Sequence, residues 1–334
     1  KGLTRPLMGL LEDLDDRVRV AALEACRSAP DEDLIPATIP LLADSIVAAE
    51  AAETLAEYGP EVLDHLGPYM DLSQMEGAFA GAHRVPPIVA EIGDPDGLPL
   101  LLSAIGIPDL RLRHEAVRAY CSLIGSTGSL KTHLADLRQV AAREIDAART
   151  RRRILGEVRS FPATEILCDA LQGESGSHLE NAFTLLDVLT PAVDMKAVHL
   201  SLNSEESRSN ALEILDNVLE GDLKTNLLGL LESREEAAPA TEDIAARISG
   251  ILRDETSEWV VAGALMAAAA NGMMDSRESI LDCTSHQSPF VRETALFALD
   301  KLEQTDILPE TCARLSEDPD PGVRRLAREL SQTP

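Results

Sequence analysis

A short cassette returns along this chain at intervals of about thirty residues. An apolar residue, often followed by Arg, stands four places before an Ala, and Leu residues continue at helical spacing. It reads Val18-Arg19…Ala22, Val47…Ala51, Leu112-Arg113…Ala116, Val260…Ala264, Val291-Arg292…Ala295 and Val323-Arg324…Ala327, with weaker copies centred on Ala182 and Ala211. The steps between Val260, Val291 and Val323 are 31 and 32 residues, and Ala182 lies 29 residues before Ala211. A repeat of that length holds one helical hairpin. A lone hairpin cannot bury its own apolar face, so neighbours must stack. The pattern predicts an all-α solenoid of about nine to ten helical hairpins, one array over residues 1–334 with sub-arrays at 1–129, 130–231 and 242–334.

Each cassette carries its own punctuation. Asp15, Asp44, Asp109, Ser257, Ser288 and Asp320 lie three residues before the apolar anchor, where a side-chain oxygen can accept from free amides of a first helical turn. Pro289 and Pro321 follow two of them at a position that proline tolerates. Gly59, Gly93, Gly125 and Gly272 fall where helices are expected to stop. Residues 60–80, with Pro60, Gly67, Pro68, Gly77 and Gly81, read as a distorted repeat. Residues 130–159 contain no Gly or Pro until Gly156 and predict one long helix. The polar stretch 232–241 is the expected break between sub-arrays.

Composition narrows the partners. Aromatic residues make up only 3% of the chain against 45% hydrophobic, so the core is expected to be Ala- and Leu-rich and helical. The net charge of −27 opposes duplex DNA and anionic lipid as general partners, so no nucleic acid is expected. Five dispersed cysteines, Cys26, Cys121, Cys168, Cys283 and Cys312, form no CxxC pair and suit reduced thiols in a cytoplasmic setting. The longest uncharged apolar run, 260–270, is about half the roughly 20 residues of a membrane span, so no direct membrane insertion is expected. The start at Lys1 rather than Met suits a piece of a larger polypeptide.

Catalytic patterns are sparse. The seven histidines show no HxxxH or HExxH spacing. His114-Glu115 is one copy of the His-Glu pair that helical-repeat di-iron hydroxylases use several times, and one copy cannot ligate two metals. The stretch Gly125–Thr132 departs from GxxxxGK[ST] in both glycine spacing and lysine position. Helical-repeat DNA glycosylases need a basic, aromatic surface that this acidic chain lacks. Neither a catalytic residue, a metal nor a cofactor is expected.

One local exception to the acidity is Arg138, Arg143, Arg149, Arg151, Arg152, Arg153 and Arg159, all within 22 residues. Arg149, Arg151, Arg152 and Arg153 are the candidate partner-binding residues, with docking of an acidic partner, a phosphate-bearing ligand or the rest of a larger chain set against a solvated face with i,i+4 ion pairs and contacts to acidic neighbouring repeats. The cassette arginines Arg19, Arg113, Arg292 and Arg324 read instead as ties to the adjacent hairpin. Asp187, Asp216 and Asp300 each lie five residues after a cassette Ala. They read either as a partial acidic row or as caps and ion-pair partners.

The D-x-x-[VL]-R-x-x-A cassettes at 15–22, 109–116 and 320–327 resemble those of the HEAT-repeat (armadillo-like) family. That resemblance implies a right-handed α-α superhelix and a protein-binding scaffold. More narrowly, HRVPPIVAEIGDPDGLPLLLSAI (83–105), LRLRHEAVRAYCSLI (110–124), ARTRRRILGEV (148–158) and ESRSNALEILDNVLEGDLKTNLLGLLE (206–232) resemble the cytosolic HEAT region fused to some bacterial nucleotide-carrier-like transporters. This implies a non-enzymatic scaffold or regulatory module that binds a protein partner or another domain of its parent chain. The alternative is a nucleotide- or anion-sensing module built on the Arg-rich helix 138–159.

Overall fold

The computed structural model describes residues 3–70, 79–107, 109–128, 130–232, 244–255, 257–303 and 306–332. Among these the chain is helical and contains no strand. In order the helices are α1 (Thr4–Leu11), α2 (Asp16–Ser28), α3 (Ile35–Thr38), α4 (Ala48–Tyr58), α5 (Leu63–Met70), α6 (Val85–Ile92), α7 (Leu98–Ile105), α8 (Leu110–Thr127), α9 (Leu130–Val158), α10 (Glu165–Leu189), α11 (Met195–Ser201), α12 (Glu205–Val218), α13 (Gly221–Glu232), α14 (Ile244–Asp254), α15 (Glu258–Ala270), α16 (Arg277–Cys283), α17 (Pro289–Lys301), α18 (Leu308–Leu315) and α19 (Pro321–Ser331).

The residues group into two compact units, one of residues 1–144 and 180–225, the other of residues 145–179 and 226–334. The divisions fall within α9, α10 and α13 rather than in the expected loop at 232–241, most of which lies outside the described residues.

In the first unit α2 packs on α4, α4 on α6 and α6 on α8. Here α6 is a rung that the cassette pattern skips between Val47 and Leu112. Its sequence RVPPIVA puts Val85 and Val89 four residues apart, with Val89 where other rungs carry Ala, and both are fully buried. In the second unit α14 packs on α15, α15 on α17 and α17 on α19. The anchors Val260, Val291 and Val323 and the alanines Ala264, Ala295 and Ala327 are all inaccessible to solvent. Small side chains at this fourth position let neighbouring helices approach closely. Gly263 shows the limit: a Cβ there would lie 2.7 Å from Cα of Leu167 on α10.

Cross-hairpin bonds repeat the same period. Arg19 pairs with Asp44 at 2.8 Å, and Arg27 with Glu53. In the second unit Arg292 pairs with Asp318 and Arg277 with Asp306. A second use of the cassette arginine is local. Arg113, Arg292 and Arg324 each donate to the carbonyl six residues earlier, at Ile107, His286 and Asp318, and Arg208 of α12 does the same to Leu202. The turn before each helix is thereby fastened to it. For Arg113 and Arg324 this local bond stands in place of the expected tie to the adjacent hairpin, which among the described residues only Arg19 and Arg292 of the cassette arginines make.

The caps follow in most places. Asp15, Asp109, Ser257 and Asp320 accept from amides of α2, α8, α15 and α19. Two differ from expectation. Asp44 accepts from Ile46, a turn ahead of α4, and the Ser288 hydroxyl donates to Glu258 of the preceding rung instead of accepting from its own helix. The stop expected at Gly125 is also corrected, because that glycine lies inside α8. Gly128, at φ +66°, ends the helix, since the left-handed conformation is available there to a residue without Cβ. Of the irregular stretch 60–80, residues 63–70 form α5 with Pro68 inside it, while 71–78 lie outside the described residues.

Candidate functional site

The long Arg-rich helix exists as expected, since α9 runs over 29 residues. Its candidate binding residues are held by other groups of the protein. Arg151 is the centre of a buried polar knot in the second unit. Its Nε donates to Glu174 Oε2 of α10 at 2.6 Å, and its two terminal nitrogens donate to Glu255 at 2.7 and 3.0 Å. The side chains of Arg151, Glu174 and Glu255 are 16%, 4% and 10% exposed. Ser257 closes the knot. Its hydroxyl donates to Glu174, its amide donates to Glu255 Oε1, and its oxygen caps Val260 of α15. Two carboxylates tolerate this proximity because one forked guanidinium lies between them.

The neighbours of Arg151 are similarly engaged. Arg149 bonds Asp146 and the Asn226 carbonyl, both at 2.8 Å. Arg152 donates to the Leu230 carbonyl at 2.9 Å. Arg153 is exposed and pairs with Glu157 one turn on, and Glu157 also faces Arg247. Thus the part of α9 in the second unit gathers α10, α13 and the segment leading into α15, and all four candidate guanidinium groups are directed at protein acceptors, three of them on other elements. Arg138 and Arg143, which lie in the first unit, are exposed.

Titratable groups elsewhere are likewise occupied. His114 Nδ1 lies 2.9 Å from Asn181 Oδ1, and the Asn181 amide donates to buried Glu144 at 3.2 Å. Glu115 turns to Arg118 instead, so His114 and Glu115 do not converge on a common point. Asp187 accepts from the Met195 amide at the start of α11, and Asp216 pairs with Lys224, so both serve local contacts. Among the described residues no group of three or more His, Cys, Asp or Glu could hold a metal ion. Burial pushes the Cys121 thiol up to about 12 and Cys283 to about 11, away from the thiolate form that nucleophilic chemistry requires. Burial also lowers His199 and His286, keeping both neutral near pH 7.

What the cassette reading passed over lies on the residue just before the anchors. Trp259 precedes Val260, and Phe290 precedes Val291. Their rings contact across adjacent rungs, with centroids 4.9 Å apart and planes at 50°. They nevertheless remain 60% and 38% exposed. The signal was present in the register: Ile46 occupies the same place before Val47 and is 61% exposed.

Comparison with models of known protein families and with characterised proteins finds no match. Among the described residues no helix is long and apolar enough to cross a membrane.

Proposed function

We propose that this chain is a non-enzymatic scaffold, a HEAT-like solenoid that offers a row of equivalent helix ends to a protein partner or to another domain of its parent polypeptide. One observation carries the reading. In the second unit α15, α17 and α19 repeat one packing arrangement with the same buried anchors, while the position before the anchor holds large exposed aromatics on two successive rungs. Repetition of this kind supports an extended contact surface. Exposed, mutually contacting aromatics are the groups that dominate protein interfaces. The Arg151 knot supports the same reading from the other direction, because its charges satisfy one another inside the unit.

Crosslinking of the purified chain in a lysate of the cells that make it, followed by mass spectrometry, tests the proposal. The expected result is a reproducible partner or parent domain with crosslinks to defined positions on the helices. Absence of any such partner, together with saturable thermal stabilisation by a nucleotide or phosphate, would replace this reading by anion sensing.

A further inference from the structure

We infer that Trp259 and Phe290 are the centre of a docking surface for a basic, apolar protein segment, which lays a Lys or Arg side chain on the indole beside Glu258 and Glu293. The inference rests on the scaffold reading and adds to it the place and chemistry of the contact. In a chain with one tryptophan, leaving that residue 60% exposed beside a second exposed ring is an uncompensated apolar patch.

Its charge surroundings select the occupant. Glu258, in the first turn of α15, accepts a hydrogen bond from the Ser288 hydroxyl. That bond holds its carboxylate at the start of α17, two residues before Phe290. Glu293 lies one turn beyond Phe290 on the same helix face. It reaches toward the start of α19, since a Cβ on Gly322 would lie 3.7 Å from its Oε2. The adjacent cation, Arg292, does not neutralise this edge, because it is 11% exposed and bound to Asp318. Arg325 of α19 is exposed in the register of Glu293, so the acidic surface belongs to α15 and α17. Aromatic faces and carboxylates together attract a cation on an apolar stem, while a net charge of −27 repels acidic segments.

The single tryptophan makes the site its own reporter. Three twelve-residue peptides of equal apolar content, with Lys and Arg, Gln, or Glu at the polar positions, would be titrated against the full chain while Trp259 emission is followed. The cationic peptide is expected to bind saturably and shift the emission, with affinity falling about tenfold or more between 50 and 300 mM salt. With a dye-labelled cationic peptide, Trp259→Ala should weaken binding at least about tenfold. The pair Glu258→Gln with Glu293→Gln should weaken it and flatten the salt dependence, with circular dichroism confirming that both variants fold. Equal binding of the neutral or acidic peptide, undiminished binding to Trp259→Ala, or no binding of any peptide would overturn the inference. A partner that crosslinks to a different surface would overturn it while leaving the scaffold reading intact.

Discussion

Arg292 and Asp318 meet face to face across 26 residues of chain, with Nε and Nη2 at 2.8 and 2.7 Å from the two carboxylate oxygens. The same guanidinium also donates from Nη1 to the His286 and Gln287 carbonyls. One side chain thus fixes its own turn and the next hairpin together. Since both side chains are nearly inaccessible, removing either leaves a buried charge without its partner.

Asp318→Asn should therefore destabilise the second unit by about 3 kcal/mol near pH 7, read as a lower denaturant midpoint from Trp259 emission. The acid limb gives an independent check. Burial raises the Asp318 carboxyl, but hydrogen bonds from Arg292 and from the Asp320 amide outweigh it and hold the group below its ordinary 3.8. A carboxyl lowered by folding contributes stability that is complete above the unfolded value, at about pH 4, and lost as pH falls through the lowered folded value. The variant should accordingly lose less stability than the wild type between about pH 4 and 2. Parallel acid curves for the two proteins would contradict this role.

At the knot on α9, Arg151→Ala should cost more than a surface substitution, about 3–5 kcal/mol, because Glu174 and Glu255 are left as buried like charges. Adding Glu174→Gln and Glu255→Gln should recover a large part of that loss, and a denaturation series on the four proteins measures the coupling. Additive effects would mean that the three residues do not act as one network. The same geometry makes charge reversal at Arg151 a poor probe of binding, since it would disrupt the unit itself.

The period, the helical class and the burial of the cassette anchors and alanines were legible in the chain, because stacking reuses the same sterics at each step. Ala264, Ala295 and Ala327 are buried at equivalent places for that reason. The rung at α6 escaped detection because its anchor is preceded by Arg84 and followed by Pro86 and Pro87. Arg84, one residue before Val85 rather than one after it, still reaches the Leu42 carbonyl of the preceding hairpin. Contact with acidic neighbouring repeats is one of the readings of the Arg-rich helix, but the particular partners of Arg149, Arg151 and Arg152 were not legible. Their partners, Asn226, Glu174, Glu255 and Leu230, lie 23 to 104 residues away, and no local pattern encodes such pairings. Trp259 and Phe290 were readable as a register but were obscured by the low aromatic content of the chain.

Glycine gives a pair of opposed expectations. Gly173 is exposed on α10 with nothing within 4 Å of an added Cβ, so Gly173→Ala should stabilise by about 1 kcal/mol through helix propensity. Gly263→Ala gains the same propensity but drives its methyl into the Leu167 backbone, with contacts of 2.7 and 3.0 Å to Cα and N. Backbone cannot rotate aside, so a net loss of about 1–3 kcal/mol is expected. Thermal unfolding of both variants checks the contrast, and equal shifts of one sign would show that α15 and α10 are not in close contact.

The thiols should report order of exposure. Cys26, Cys121, Cys283 and Cys312 are buried, whereas Cys168 on α10 is half-buried. Burial raises the Cys168 thiol, with the Thr164 hydroxyl opposing it, so reaction with a disulfide reagent should be slow at pH 7. Its rate should climb up to about tenfold per pH unit toward pH 8.5, because only the thiolate attacks. Mass spectrometry of native protein should therefore find Cys168 modified first, with the other four following only on unfolding. Simultaneous labelling of Cys168 and Cys283 in the native state would mean that the packing of α16 opens as readily as the surface of α10.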